Sequence, residues 1–99
     1  MKRTFTKYPQ GYIKASSESS KDFDIFEFIY SYQNHVDTVG DISIEDYARD
    51  YFENLDNDEL VDVFIAFCKC GIGGTDNYAE WGRAAQRIVK DVVLERLNS

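Results

Sequence analysis

Apolar residues recur with helical spacing over most of this chain and with strand-like spacing near its start. Ile44, Tyr47, Ala48, Tyr51, Phe52 and Leu55 fall at i, i+3, i+4, i+7, i+8 and i+11, the one-sided stripe of an amphipathic helix. Ser43 stands in front of it as an N-cap, and Asp46 three residues on approximates a capping box. Asp56 with Glu59 repeats the cap signal. It opens a helix through Leu60, Val61, Val63, Phe64, Ile65, Phe67 and Cys68. That segment is apolar nearly all round, which predicts a buried central helix, and Gly71 ends it. GIGGTDN, residues 71–77, reads as a flexible connection in which Thr75 or Asp76 caps a last helix. Trp81, Ala85, Ile88, Val92 and Leu97 form the apolar side of that helix, with Arg83, Arg87 and Lys90 outside.

Residues 23–33 fit two patterns. Ile25, Phe28, Ile29, Tyr32 and Val36 make a helical stripe, whereas Phe26, Phe28, Tyr30 and Tyr32 alternate as in a strand. Length and the serine-rich entry favour the helix. RTFTKYPQGYIKAS, near the start, reads as a β-hairpin. There Pro9 presets φ, Gly11 can take a positive φ, and Phe5, Tyr8, Tyr12 and Ile13 flank the turn. The expected fold class is therefore α+β, mainly helical: an N-terminal β-hairpin followed by about four packed helices. One compact domain over 1–99 is expected, with the hairpin at about 3–16 and the helical part at about 22–98.

The apolar share of 43% and aromatic share of 15% are too high for a disordered chain. No apolar run approaches the ~20 residues that span a bilayer. MKRTFTKYPQGY has no apolar segment after its basic residues, so a secretory signal is not expected, and Cys68 and Cys70 make no disulfide framework. A cytoplasmic protein is the expectation.

Charge changes the picture more than composition does. The net charge is −7, but its distribution is uneven. Residues 22–62 hold thirteen acids against the single Arg49, while residues 1–21 are net positive and 63–99 nearly balanced. Direct nucleic-acid binding by the middle segment is excluded, because it would add like-charge repulsion instead of releasing counterions.

Chemistry-bearing motifs are weak. Cys68-Lys69-Cys70 with the lone His35 cannot complete a closed zinc set without carboxylates, and cysteines two apart on a helix face different ways. Cys68 reads as a small core residue and His35 as a packed or surface one. GIGG follows a helix and lacks the Gly-Lys-Ser/Thr of a phosphate loop. An EF-hand counted from Asp56 would need glycine where Val61 stands and an acid where Phe67 stands. No nucleophile–base pair is apparent, so no enzyme, no cofactor and no metal are expected. The basic residues 2, 3, 7, 14 and 21 read as solvated edge protection on the hairpin.

The candidate site is the acidic face. Asp46, Asp50 and Glu53 lie at i, i+4 and i+7 opposite the core stripe, where three charges span roughly 10 Å at about 1.5 Å per residue. Asp41 and Glu45 precede this row, and Asp56, Asp58, Glu59 and Asp62 extend it. Asp22, Asp24 and Glu27 join only if the fold brings their segment alongside. Like charges at this spacing cost a few tenths of a kcal/mol per pair in an isolated helix. In size, aromatic content and block acidity, carried by Asp22, Asp24, Glu27 and the run from Asp41 to Asp62, the chain resembles small phage and mobile-element inhibitors of bacterial defence. DNA-mimic anti-CRISPR and antirestriction proteins are the nearest group. The resemblance implies an inhibitor whose acidic face imitates nucleic-acid phosphates and blocks target-DNA binding by a CRISPR effector or related nuclease complex. The partner would be a basic nucleic-acid-binding protein in the host cytoplasm, with no membrane involved. Immunity proteins that neutralise nuclease toxins, and helical adaptor modules docking through Tyr47, Tyr51 and Trp81, are the alternatives.

Overall fold

The computed structural model describes the backbone of residues 3–7, 13–17, 23–69 and 71–98, and the side chains of 23–69 and 71–98. Four helices follow one another: α1 (Ile25–Thr38), α2 (Ile44–Glu53), α3 (Asn57–Lys69) and α4 (Asn77–Asn98). Ahead of them β1 (Arg3–Lys7) and β2 (Ile13–Ser17) pair antiparallel, with Phe5 opposite Ala15. The proposed turn around Pro9 and Gly11 lies outside the described residues.

The expected α+β class is corrected to all-helical. Residues 23–69 and 71–98 are 79% helical and contain no strand. Every fully buried member of the described core cluster sits on a helix. The physical reason is size: two five-residue strands, with no third among the described residues, make a ribbon rather than a sheet layer able to enclose a core.

The ambiguous segment is helix α1. Ile25, Phe28, Ile29 and Tyr32 are buried, while Phe26 and Tyr30 are 64% and 59% exposed. A strand would have put Phe26, Phe28, Tyr30 and Tyr32 on one face; they divide between core and solvent. The cap is not one of the preceding serines but Asp24, whose Oδ1 accepts the Glu27 N–H at 3.0 Å. The other expected caps are local hydrogen bonds. Asp46 N–H donates to Ser43 Oγ at 3.1 Å, Glu59 N–H to Asp56 Oδ1 at 2.8 Å, and Ala79 N–H to Asp76 Oδ1 at 2.8 Å. Asp56 and Glu59 form a reciprocal box, since Glu59 Oε1 accepts the Asp56 N–H at 3.4 Å.

The central helix is α4, not α3 as its all-round apolarity predicted. The other three helices pack on α4, through Ala84, Ala85, Ile88, Val89, Val92 and Val93. α3 instead lies between α4 and the ribbon, and it has contacts with both strands. Two covered sides explain why Leu60 to Phe64 are buried all the way round. The aromatic residues knit α1, α2 and α3: Phe52, fully buried, stacks on Phe28 at 5.4 Å and meets Phe67 edge-on at 6.0 Å.

The connection at 71–76 is held down rather than free to hinge. Arg83 Nη1 donates to the carbonyls of Gly74 at 2.9 Å and Ile72 at 3.4 Å. Ile72 packs so closely on Gly82 of α4 that a Cβ there would meet its Cδ1 at 3.1 Å. Gly74 itself has φ +109°, a left-handed value that side chains disfavour.

Candidate functional site

The faces of α2 follow from its sequence register. Ile44, Ala48 and Phe52 enter the core, four residues apart. Tyr47 and Tyr51 lie on the flank towards α1, where Phe28 meets both rings at 5.6 and 5.1 Å. Arg49 lies on the flank towards α4, its Nη1 3.0 Å from Glu95 Oε1 and 3.2 Å from Glu53 Oε1. Asp46, Asp50 and Glu53 are exposed on the side opposite the core, as the spacing predicted.

The remaining acids divide by role. Asp41, Glu45, Asp56, Asp58 and Glu59 are exposed. Asp24 and Asp56 each commit one oxygen to a helix cap. Glu53 is shared with Arg49. Asp62 departs from expectation: at 8% exposure it is buried on α3 and cannot belong to an open acidic face. The all-round burial of α3 between α4 and the ribbon is the reason, since no residue of that turn is left facing solvent. Asp22 lies outside the described residues.

Asp24 and Glu27 do come alongside α2. They line, with Phe23, Phe28, Ser31, Tyr47 and Tyr51, a groove of about 310 Å³ between the two helices. The acidic surface therefore includes an aromatic-walled groove that sequence spacing on one helix could not show. Tyr32, midway along α1, ties the helix to the 40–43 loop. Its hydroxyl donates to the Ile42 carbonyl at 2.7 Å. Burial, with Glu45 and Asp41 nearby, pushes its pKa above 10.0.

Two cysteine and histidine expectations can be placed. Cys68 is exposed, not a core residue, because α3 turns it outward near its C-terminal end. Partial burial still pushes its thiol up, which disfavours the nucleophilic thiolate. Cys70 lies outside the described residues. His35 packs on Tyr47 with ring centroids 5.4 Å apart. Among the described residues, no three His, Cys, Asp or Glu side chains converge to hold a metal ion, and no helix is long and apolar enough to cross a membrane.

One surface escaped the sequence reading. Phe26, Tyr30 and Tyr78 are exposed together beside the 71–76 loop. The available signal was Phe26 and Tyr30 standing at i, i+4 off the core stripe of α1. In comparisons with known proteins, no family model, curated protein or solved structure matches this chain.

Proposed function

We propose that the protein is a stoichiometric inhibitor of a nucleic-acid-binding protein, of the anti-CRISPR kind. It presents the outer face of α2 as a stand-in for phosphates and excludes target DNA from a basic cleft in the bacterial cytoplasm. The observation that carries this reading is the fixed row Asp46, Asp50 and Glu53, exposed on a helix whose opposite side is locked into the core. Asp41 and Glu45 extend the row at one end and Asp56, Asp58 and Glu59 at the other, while Asp24 and Glu27 flank it across the α1–α2 groove. Carboxylates held this way pair with arginine and lysine without first being ordered, and they steer association over a distance.

The test is competition on a CRISPR surveillance complex. The purified protein should bind it and exclude target DNA, with affinity falling as salt rises. Reversal of Asp46, Asp50 and Glu53 to lysine should abolish exclusion while leaving the helical circular dichroism intact. Simultaneous binding of protein and DNA across the salt series would sink the mimicry. The same assay with a nuclease toxin in place of the complex separates an immunity protein from an anti-CRISPR.

A further inference from the structure

The second surface shares no lining residue with the α1–α2 groove and has its own chemistry. Between the start of α1, the 71–76 loop and the start of α4 lies a groove of about 210 Å³. Ile25 and Ile29 supply buried apolar wall, and Ile72 continues it from the loop. Phe26, Tyr30 and Tyr78 stand at the rim, and they are half of the large apolar side chains exposed among the described residues. Scattered exposed rings are unremarkable, but three converging on one groove mark a contact surface.

The rim is preorganised. The Tyr78 hydroxyl donates to Gln33 Oε1 of α1, and its ring meets Tyr30 edge-on at 5.4 Å and Trp81 at 5.6 Å. The loop beneath is held by Arg83 and by Ile72 on Gly82. A platform already fixed loses little entropy when a partner arrives.

The lining also carries a charge preference. Asp76 is the one charged residue among the described residues of the groove. Its Oδ1 caps α4, and the structure assigns no partner among the described residues to its second oxygen. Apolar walls, tyrosine faces and a single carboxylate match a side chain with an aliphatic stem and a planar cationic head. A guanidinium stacks on aromatic rings and is more weakly hydrated than an ammonium. The volume lies below the roughly 300–1,000 Å³ of small-molecule sites, and so suits one inserted side chain better than a free ligand.

We infer that this groove anchors an arginine side chain of a protein partner, its stem along Ile25, Ile29 and Ile72 and its head between the Tyr30–Tyr78 pair and Asp76. The anchor goes beyond the α2 face and does not depend on it. The probe is a blocked five-residue peptide with one arginine flanked by leucines, titrated into the ¹⁵N-labelled full chain. Saturable shifts should centre on the amides of Phe26, Tyr30, Ile72 and Tyr78. Replacing the arginine by citrulline, similar in shape but uncharged, should weaken binding by about tenfold or more.

Asp76→Asn tests the carboxylate without removing the cap, because asparagine caps as well as aspartate; it should weaken the arginine peptide similarly. Tyr30→Ala, at an exposed position, gives a second variant with little risk to folding and should weaken it too. The triple lysine reversal at Asp46, Asp50 and Glu53 should leave peptide binding at the groove unchanged, so failure of either site is read separately. Equal affinity for the citrulline peptide, shifts centred on α2, or no saturation at millimolar peptide would each overturn the assignment.

Discussion

Arg96 ties the end of α2 to α4, and its removal should be felt well beyond its half-exposed position. The guanidinium Nη2 donates to the carbonyls of Leu55 at 2.5 Å, Glu53 at 3.1 Å and Phe52 at 3.3 Å, while Nη1 donates to Asn57 Oδ1 at 2.9 Å. Helix C-termini leave carbonyls without intrahelical partners, and a cation there also complements the macrodipole. The Phe52 carbonyl already accepts the Asn54 and Leu55 N–H groups, so it loses least. The Glu53 carbonyl and Asn57 are exposed enough for water to substitute. The Leu55 carbonyl is part-buried and depends most on Arg96.

A charge-assisted hydrogen bond contributes about 1.5–3 kcal/mol, and one guanidinium serving several carbonyls does not add them in full. Arg96→Ala should therefore cost roughly 2–3 kcal/mol, most of it at Leu55, with some from the lost macrodipole interaction. For a domain of this size that lowers Tm by on the order of 10–20 °C. Arg96→Lys should fall between the two, since an ammonium restores the charge but not the fork. The assay is urea unfolding at neutral pH, with Lys90→Ala on the exposed side of α4 as control, expected within about 0.5 kcal/mol of the parent. If Arg96→Ala falls in that same narrow band, or lysine matches arginine, the assignment of Arg96 as the α2 terminator is wrong.

Phe52→Ala removes a fully buried ring that touches Phe28, Tyr51 and Phe67, and should cost about 3–5 kcal/mol by chemical denaturation. Arg49 and Glu95 should couple by less than about 1 kcal/mol in a double-mutant cycle, because both side chains are substantially exposed and water screens the pair. Tyr32 gives a pH dependence of definite sign. Its folded pKa is raised, so the neutral phenol's contribution is fully present below the unfolded value near 10.0 and is lost as pH rises through the folded one. Urea midpoints should decline above about pH 10, and Tyr32→Phe, less stable at neutral pH for want of the Ile42 bond, should decline less steeply.

The helices were legible because stripe and cap agree. At α2, α3 and α4 a capping side chain stands just ahead of an apolar period, and Ser43, Asp56 and Asp76 each make the local bond their position implies. Such bonds span three residues and can be read without tertiary information. Residues 23–33 were harder, since four aromatics at alternate positions satisfy strand spacing as well. Burial decided the matter by leaving Phe26 and Tyr30 in solvent. The fold class went wrong at the level of layers, because a short ribbon has a clear turn signature whether or not it builds a sheet. The place of α3 failed similarly: all-round apolarity records how many sides are covered, not which helix is central. At the site, the outward projection of Asp46 and Asp50 was readable from register. The burial of Asp62, the groove that Glu27 shares with Tyr47 and Tyr51, and the groove at Tyr30 and Tyr78 all depend on packing between separate elements.

The division of the acids narrows the proposed mimicry. A carboxylate that caps a helix is held in place by the fold and still carries its charge, so Asp24 and Asp56 can serve both purposes. Glu53 is different, because Arg49 offsets part of its field while bridging to Glu95. Asp62 is removed by burial. Under that proposal, the α2 face offered to a partner is centred on Asp46 and Asp50, about 6 Å apart along the helix axis, against about 3.4 Å between phosphates on one strand. Over the ten residues of α2 the footprint is about 15 Å, the length of only four or five phosphates. On the proposed reading, the α2 face alone would imitate a local stretch of backbone rather than a whole duplex, and Asp41, Asp56, Asp58 and Glu59 would lengthen it past the helix ends. The affinity of such a mimic would therefore depend on a few well-placed contacts. Rigid anchoring elsewhere on the molecule would add more to binding than further acidic residues on α2, whose mutual repulsion already opposes the helix.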